Sequence, residues 1–154
     1  MDIKATYHDP CYLGRYNGIY DDPRDVMELC GIDLVEMPRN KENSFCCGAG
    51  GGRVWLPDHD DMTQRPSENR IEEAVAVGVN NFTVACPKDM TMYADAAKTS
   101  GNEDNMAVKD IIDFVLEAMD LPEEVEEPEP IAEEVVPVEN TSESIDKNVS
   151  GDEE

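Results

Sequence analysis

Two adjacent thiols, Cys46 and Cys47, are followed by four glycines in five positions, Gly48-Ala49-Gly50-Gly51-Gly52. This is the most constraining stretch of the chain. Neighbouring cysteines are poor disulfide partners for each other, because the peptide between them opposes the geometry a disulfide needs. Both can ligate an iron or zinc centre. Glycines after them let the backbone approach a bulky inorganic core and aim its N–H groups at it. The segment therefore predicts a metal or cluster site, with Gly48 and Gly50 as close-approach positions beside the thiols.

The pattern around this loop predicts an α/β domain. Ile3–Tyr7 alternates like a strand and stops at Pro10, which delivers Cys11 into a turn. Residues 12–20 read as loop. Asp22-Pro23 reads as the start of a helix, with Val26, Met27, Leu29 and Cys30 as its apolar face and Gly31 as its cap. A second strand over 33–37 is stopped by Pro38. A second helix is expected over about 67–77, with Ile71, Ala74 and Val75 facing inward, then an apolar strand over 81–85 that ends at Cys86-Pro87. A third helix is predicted over 87–99, with Met90, Tyr93, Ala94 and Ala97 on one stripe. Val108, Ile111, Ile112, Val115, Leu116 and Met119 predict a fourth, amphipathic helix. Such alternation favours a small parallel sheet covered by helices, with ligands at the carboxyl ends of the strands. Three distant segments would then bring Cys11, Cys46, Cys47 and Cys86 to one edge.

Composition bounds the class. The chain's 154 residues suffice for one α/β domain, placed at 1–121. Residues 122–154, rich in Glu, Pro, Val and Ser, are predicted to form a disordered acidic tail. Five widely spread cysteines do not form a secreted disulfide framework, and no apolar run is long enough for a bilayer span or signal peptide. A reducing cytoplasm is the expected setting, without direct membrane insertion. The net charge is −24, half of it from residues 1–120 and half from 121–154. That opposes nucleic acid or an anionic membrane surface as a direct partner, and it suits a halophilic, high-salt cytoplasm in which repulsion is screened.

The cysteine spacing is Cys11-x34-Cys46-Cys47-Gly48-x37-Cys86. Local strings accompany it: Tyr7-His8-Asp9-Pro10-Cys11-Tyr12-Leu13-Gly14-Arg15, the run from Cys46 to Trp55, and Ala85-Cys86-Pro87 with Met90-Thr91-Met92. Together, over about residues 3–120, they resemble the cysteine-rich CCG domain of heterodisulfide reductase B/D-like iron–sulfur oxidoreductases. That domain also occurs in glycerol-3-phosphate dehydrogenase and lactate-utilisation iron–sulfur subunits, and in membrane-associated iron–sulfur oxidoreductases linked to electron-transfer flavoprotein. The resemblance implies an iron–sulfur electron-transfer domain, part of an oxidoreductase complex. Cys11, Cys46, Cys47 and Cys86 would be the metal ligands. Members usually carry two CCG motifs, so the chain would correspond to a C-terminal CCG half. Implied partners are other oxidoreductase subunits: a ferredoxin-type or second CCG domain, a flavoprotein, and a membrane quinone-reactive subunit. Through them the protein could sit peripherally at the inner face of the cell membrane.

One position departs from the family pattern, which ends Cys-x2-Cys; here the second of these is Asp89. In the heterodisulfide reductase branch, five cysteines per motif go with a non-cubane pair of clusters that attacks disulfides. Four thiols suit a [4Fe–4S] cubane, and a hard carboxylate is a poorer match to iron–sulfur chemistry than thiolate. Asp89 could be a fifth, oxygen ligand of the cofactor, a replacement for one thiol, or an unligated acid beside it; the four thiols are favoured as ligands with Asp89 modulating the site, which moves the reading from disulfide reduction to relaying electrons. Two other classes stay open. A structural zinc module would use the same four thiols, though such sites favour short Cys-x2-Cys knuckles. A metal-free thiol–disulfide reductase would need a resolving partner that Asp89 does not supply.

The remaining residues have plainer readings. Cys30, on a helix stripe, is expected in the core. His8 is expected to order its turn, and His59, in an acidic loop, to be solvated. Arg15 and Arg53 could offset cluster charge or form surface ion pairs. Trp55 and Met90, Met92, Met106 and Met119 are expected to pack.

Overall fold

The computed structural model describes residues 3–119; the predicted tail lies outside the described residues. Four strands form one parallel sheet: β1 (Ile3–Tyr7), β2 (Ile32–Leu34), β3 (Asn81–Val84) and β4 (Ala107–Asp110), in the order β2-β1-β3-β4. The helices are α1 (Asp21–Leu29), α2 (Pro66–Ala76), α3 (Pro87–Thr99) and α4 (Ile111–Ala118). The α/β class and the parallel sheet are as the sequence pattern requires.

Helices cover both faces. On one face, Ala5 and Tyr7 of β1 and Ile32 of β2 pack against Met27 and Cys30 of the α1 end and Phe114 of α4. On the other, Phe82 and Val84 of β3 pack with Ile71 and Ala74 of α2, Tyr93, Ala96 and Ala97 of α3, and Met37, Cys47 and Ala49 from the long connection after β2. Alternation along each strand sends successive side chains to opposite layers. Cys47 is thus a member of the second core, which fastens the glycine loop to the sheet.

Several elements differ from expectation. A fourth strand precedes the last helix: Val108 lies on β4, paired with Phe82 of β3, and α4 starts only at Ile111. Asp110 caps that helix, accepting the Ile112 N–H at 3.0 Å. Of the expected apolar stripe, Ile112, Leu116 and Met119 are exposed, so Met119 is not a core residue; the buried residue of α4 is Phe114, which that stripe did not include. The second strand is shorter than its apolar pattern. Leu29 is exposed because Met27 and Cys30 take the inward positions of α1. Residues Tyr12–Tyr16 form a single wide helical turn where loop was expected, closed by the Tyr16 N–H donating to the Cys11 carbonyl at 3.0 Å. The third helix occupies the predicted residues, with Pro87 at its first position.

Candidate metal centre

All four predicted ligands come from connections at the carboxyl edge of the sheet. Cys11 follows β1, Cys46 and Cys47 lie between β2 and α2, and Cys86 links β3 to α3. Cys11 and Cys46 are exposed, Cys86 is half-buried and Cys47 is buried. A cavity of about 240 Å³ opens there, lined by Cys11, Cys46, Cys47, Gly50 and Asp89 with His8, Arg15 and Lys41 on its walls. Cys86 does not line it and stands one step back, joined to it through Asp89.

The cysteine loop is built by backbone geometry. The Gly48 N–H points at the Cys46 sulfur at 3.3 Å, and the Ala49 N–H at the Cys47 sulfur at 3.5 Å. Each amide is directed at the thiol two residues before it. Gly48 has φ +87°, where a side chain is strained, and a Cβ there would touch Pro66 at the start of α2. Gly51 and Gly52 also have left-handed φ, which kinks the turn Gly50–Trp55. Trp55 ends up exposed on that turn, so the expected packing role does not hold.

A buried aspartate that sequence reasoning passed over ties the loops together. The Asp9 carboxylate accepts two bonds from Arg24 of α1, at 2.7 and 3.0 Å, and one from the Lys41 backbone N–H at 2.7 Å. Its own carbonyl accepts the Ser44 hydroxyl at 3.0 Å, and Arg15 donates to the Ser44 carbonyl at 2.9 Å. Asp9 thereby fixes the Cys11 turn against the approach to Cys46. Arg39 completes the frame: it bonds Glu73 and Asn69 of α2 and lies over the Phe45 ring, 4.1 Å from its centroid. Arg53 is committed to its own loop, donating to the Leu56 and Pro57 carbonyls and to Asp58. That is the surface ion pair of the plainer reading. His59 is exposed, as expected.

Asp89, in the first turn of α3, is buried. Burial raises its pKa, and hydrogen bonding with the Cys47 and Cys86 thiols pulls the other way. Its Oδ2 has no hydrogen-bond partner, and the nearest cation-capable atom is His8 Nε2 at 3.6 Å. His8 itself is buried edge-on against Tyr93, whose hydroxyl lies 3.3 Å from its ring nitrogens. Burial, reinforced by the positive charge of Arg70, pushes its pKa down to about 3, so the imidazole is neutral at neutral pH. The His8 backbone N–H extends the sheet ladder to the Thr83 carbonyl at 2.9 Å. Burial, with Asp89 next in weight, pushes the Cys47 thiol far above its usual range. An acidic neighbour and a dry setting both disfavour an isolated thiolate. Metal coordination reverses that, since a bound cation deprotonates the thiol outright.

The donor set fits an iron–sulfur group. It offers soft sulfur donors, amides directed at two of them and a cavity far larger than the roughly 30 Å³ share of one water. Among the described residues, no three His, Cys, Asp or Glu side chains stand close enough to hold a single metal ion. Cys30 is buried with Met27, Ile32 and Phe114, as expected of a core residue.

These features define a cysteine-rich iron–sulfur-type loop on a parallel α/β sheet, and the chain belongs to the CCG cysteine-rich domain family, whose profile matches residues 5–91. Among curated relatives, it is 36% identical over 125 residues to the EtfAB:quinone oxidoreductase of Syntrophomonas wolfei, covering 78% of this chain and 18% of the relative. It is 38% identical over 115 residues to the probable iron-sulfur-binding oxidoreductase FadF of Bacillus subtilis, covering 74% and 16%. With a dihydromethanophenazine:CoB--CoM heterodisulfide reductase component of Methanosarcina mazei it shares 39% identity over 122 residues, covering 76% and 28%. The chain thus spans less than a third of the length of each of these relatives. No solved structure matches it. Among the described residues, no helix is long and apolar enough to cross a membrane.

Proposed function

We propose that the chain is the cluster-bearing CCG segment of a larger iron–sulfur oxidoreductase, relaying electrons through a [4Fe–4S] cluster held by Cys11, Cys46, Cys47 and Cys86. The observation that carries this is the cavity at the sheet's carboxyl edge, into which two separate connections bring three thiols while the first turn of α3 brings Asp89. Thiols spread around a space of this size suit a polynuclear core better than a single zinc ion. When bound, the cluster would supply one-electron chemistry. The protein's part is to hold the loops in register through Asp9, to direct amides at the sulfurs, and to keep water from the Cys47 side. Gly48 and Gly50 leave room for that approach.

Asp89 acts as an outer acid. Its contacts are with two thiols, and its place in the dry wall suits control of the site more than ligation. The names of the relatives support partners of the same kind: flavoprotein, quinone-linked or heterodisulfide-reducing subunits, in a cytoplasmic complex that can lie at the membrane through those partners. Anaerobic purification followed by iron, acid-labile sulfide and zinc analysis tests the reading. The expected result is a brown protein with iron and sulfide in equal amounts. A colourless protein holding zinc and no iron contradicts it.

A further inference from the structure

The α2–α3 core contains a charge whose one ion-pair partner is shared. Arg70 is fully enclosed, at 0% exposure, on the buried stripe Ser67, Arg70, Ile71 and Ala74 of α2. A guanidinium keeps its charge and carries five donors. Here Nη1 donates to Glu73 at 2.9 Å, while Nε and Nη2 have no partner in the described residues. Glu73 is shared, because it also accepts the Arg39 backbone N–H and Nε, both at 2.8 Å. One carboxylate faces two guanidiniums, so about one positive charge is left over. An uncompensated charge in a low-dielectric core is strongly unfavourable unless a counter-charge lies within reach.

The candidates for that counter-charge lie across Tyr93 and His8. Tyr93 stands edge-on to both His8 and Phe82, with ring centroids 4.9 and 4.8 Å away. Besides burial, its phenol is within electrostatic reach of Asp89 and Cys47 on the cysteine edge and, with opposite sign, of Arg70. His8 feels Arg70 as well and lies 3.6 Å from Asp89. Arg70 and the cysteine edge therefore act on the same buried pair of rings.

We infer that Arg70 is the buried counter-charge of the cysteine edge: it stabilises negative charge on the thiolate-held centre and raises the reduction potential of that centre. This rests on the iron–sulfur reading above. An added electron makes a thiolate-ligated cluster more negative, so a fixed positive charge behind it favours the reduced form. Arg70 touches none of the four thiols. It works through the field across Tyr93 and His8.

The test uses the full chain, anaerobically loaded, as wild type and as Arg70→Met, Arg70→Lys and Glu73→Gln variants. Midpoint potentials come from redox titration followed by electron paramagnetic resonance, with iron per chain and melting of the metal-free protein measured beside them. Removing the charge in Arg70→Met should weaken the hold on the electron about tenfold, a fall of about 59 mV for one electron. Arg70→Lys should restore most of that fall, and Glu73→Gln should move the potential the opposite way. Metal-free Arg70→Met should melt no lower than wild type, because Glu73 keeps Arg39. Equal potentials in iron-loaded wild type and Arg70→Met, above all with a lower melting point in the variant, would mark a merely structural arginine and overturn the inference. If Arg70→Met does not fold, an unchanged potential in Glu73→Gln overturns it instead. A wild-type chain that takes up no iron overturns the centre itself, an outcome distinct from iron-loaded chains with equal potentials.

Discussion

Two aspartates are buried at the same edge of the sheet, and they are treated in opposite ways. Asp9 receives three hydrogen bonds on its carboxylate, two of them from one guanidinium. Asp89 has only thiols to bond with, and one of its oxygens has no partner. A buried acid that is fully satisfied holds loops in place; one left short of partners is a poor stabiliser and sits where chemistry is expected. The same division runs through the two cores. The α1–α4 layer buries Ala5, Tyr7, Met27, Ile32 and Phe114, whereas the layer beneath the cysteines also takes in His8, Asp89 and Arg70. Polar burial is concentrated on the side that faces the thiols.

The largest expected effect comes from breaking the satisfied member. Asp9→Ala leaves Arg24 with Glu36 and the Tyr20 carbonyl and the Lys41 N–H unpaired, and should cost about 3–5 kcal/mol in denaturant unfolding of the metal-free protein. Asp89→Asn keeps the shape and removes an acid that gives little support, so its change in unfolding free energy should stay within about 1 kcal/mol. If the two variants prove equally damaging, the contrast between them is lost. Asp89→Cys sharpens it from the functional side: a fifth thiol at this position should add iron or alter the paramagnetic signal, whereas an unchanged signal and iron content would argue that position 89 does not influence the centre.

Acid should reveal the neighbouring histidine. The folded pKa of His8 lies at about 3, below its ordinary value of 6.5, so the unfolded chain binds the extra proton first. Its contribution to stability is present above about pH 6.5 and is lost as the pH falls towards 3. Metal-free His8→Gln should therefore show a shallower loss of stability over that window, read by melting at a series of pH values. The smallest effect belongs to Trp55→Ala. The side chain is 85% exposed, and the change should leave unfolding within about 0.5 kcal/mol.

Local chemistry makes much of this readable from sequence. Pro87 after Cys86 marks the start of α3, and the glycine run announces a loop. The strand β4 escapes such a reading because Val108 lies in helical phase with Ile111, Ile112 and Val115, so four strand residues blend into the helix that follows. Arg70 is hard to find for a related reason. In Ser67-Glu68-Asn69-Arg70 an arginine suggests a solvated face, yet it shares a stripe with Ile71 and Ala74, and that phase is the available signal. The partners of Asp9 lie 15 and 32 residues away along the chain, beyond the reach of any local pattern.

Iron and sulfide content across a Cys→Ser series separates the four proposed ligands from Cys30. Serine at position 11, 46, 47 or 86 should each lower the iron retained after anaerobic reconstitution, while Cys30→Ser should retain the wild-type amount. Full iron content in any of the first four variants, or loss confined to Cys30→Ser, would contradict the account.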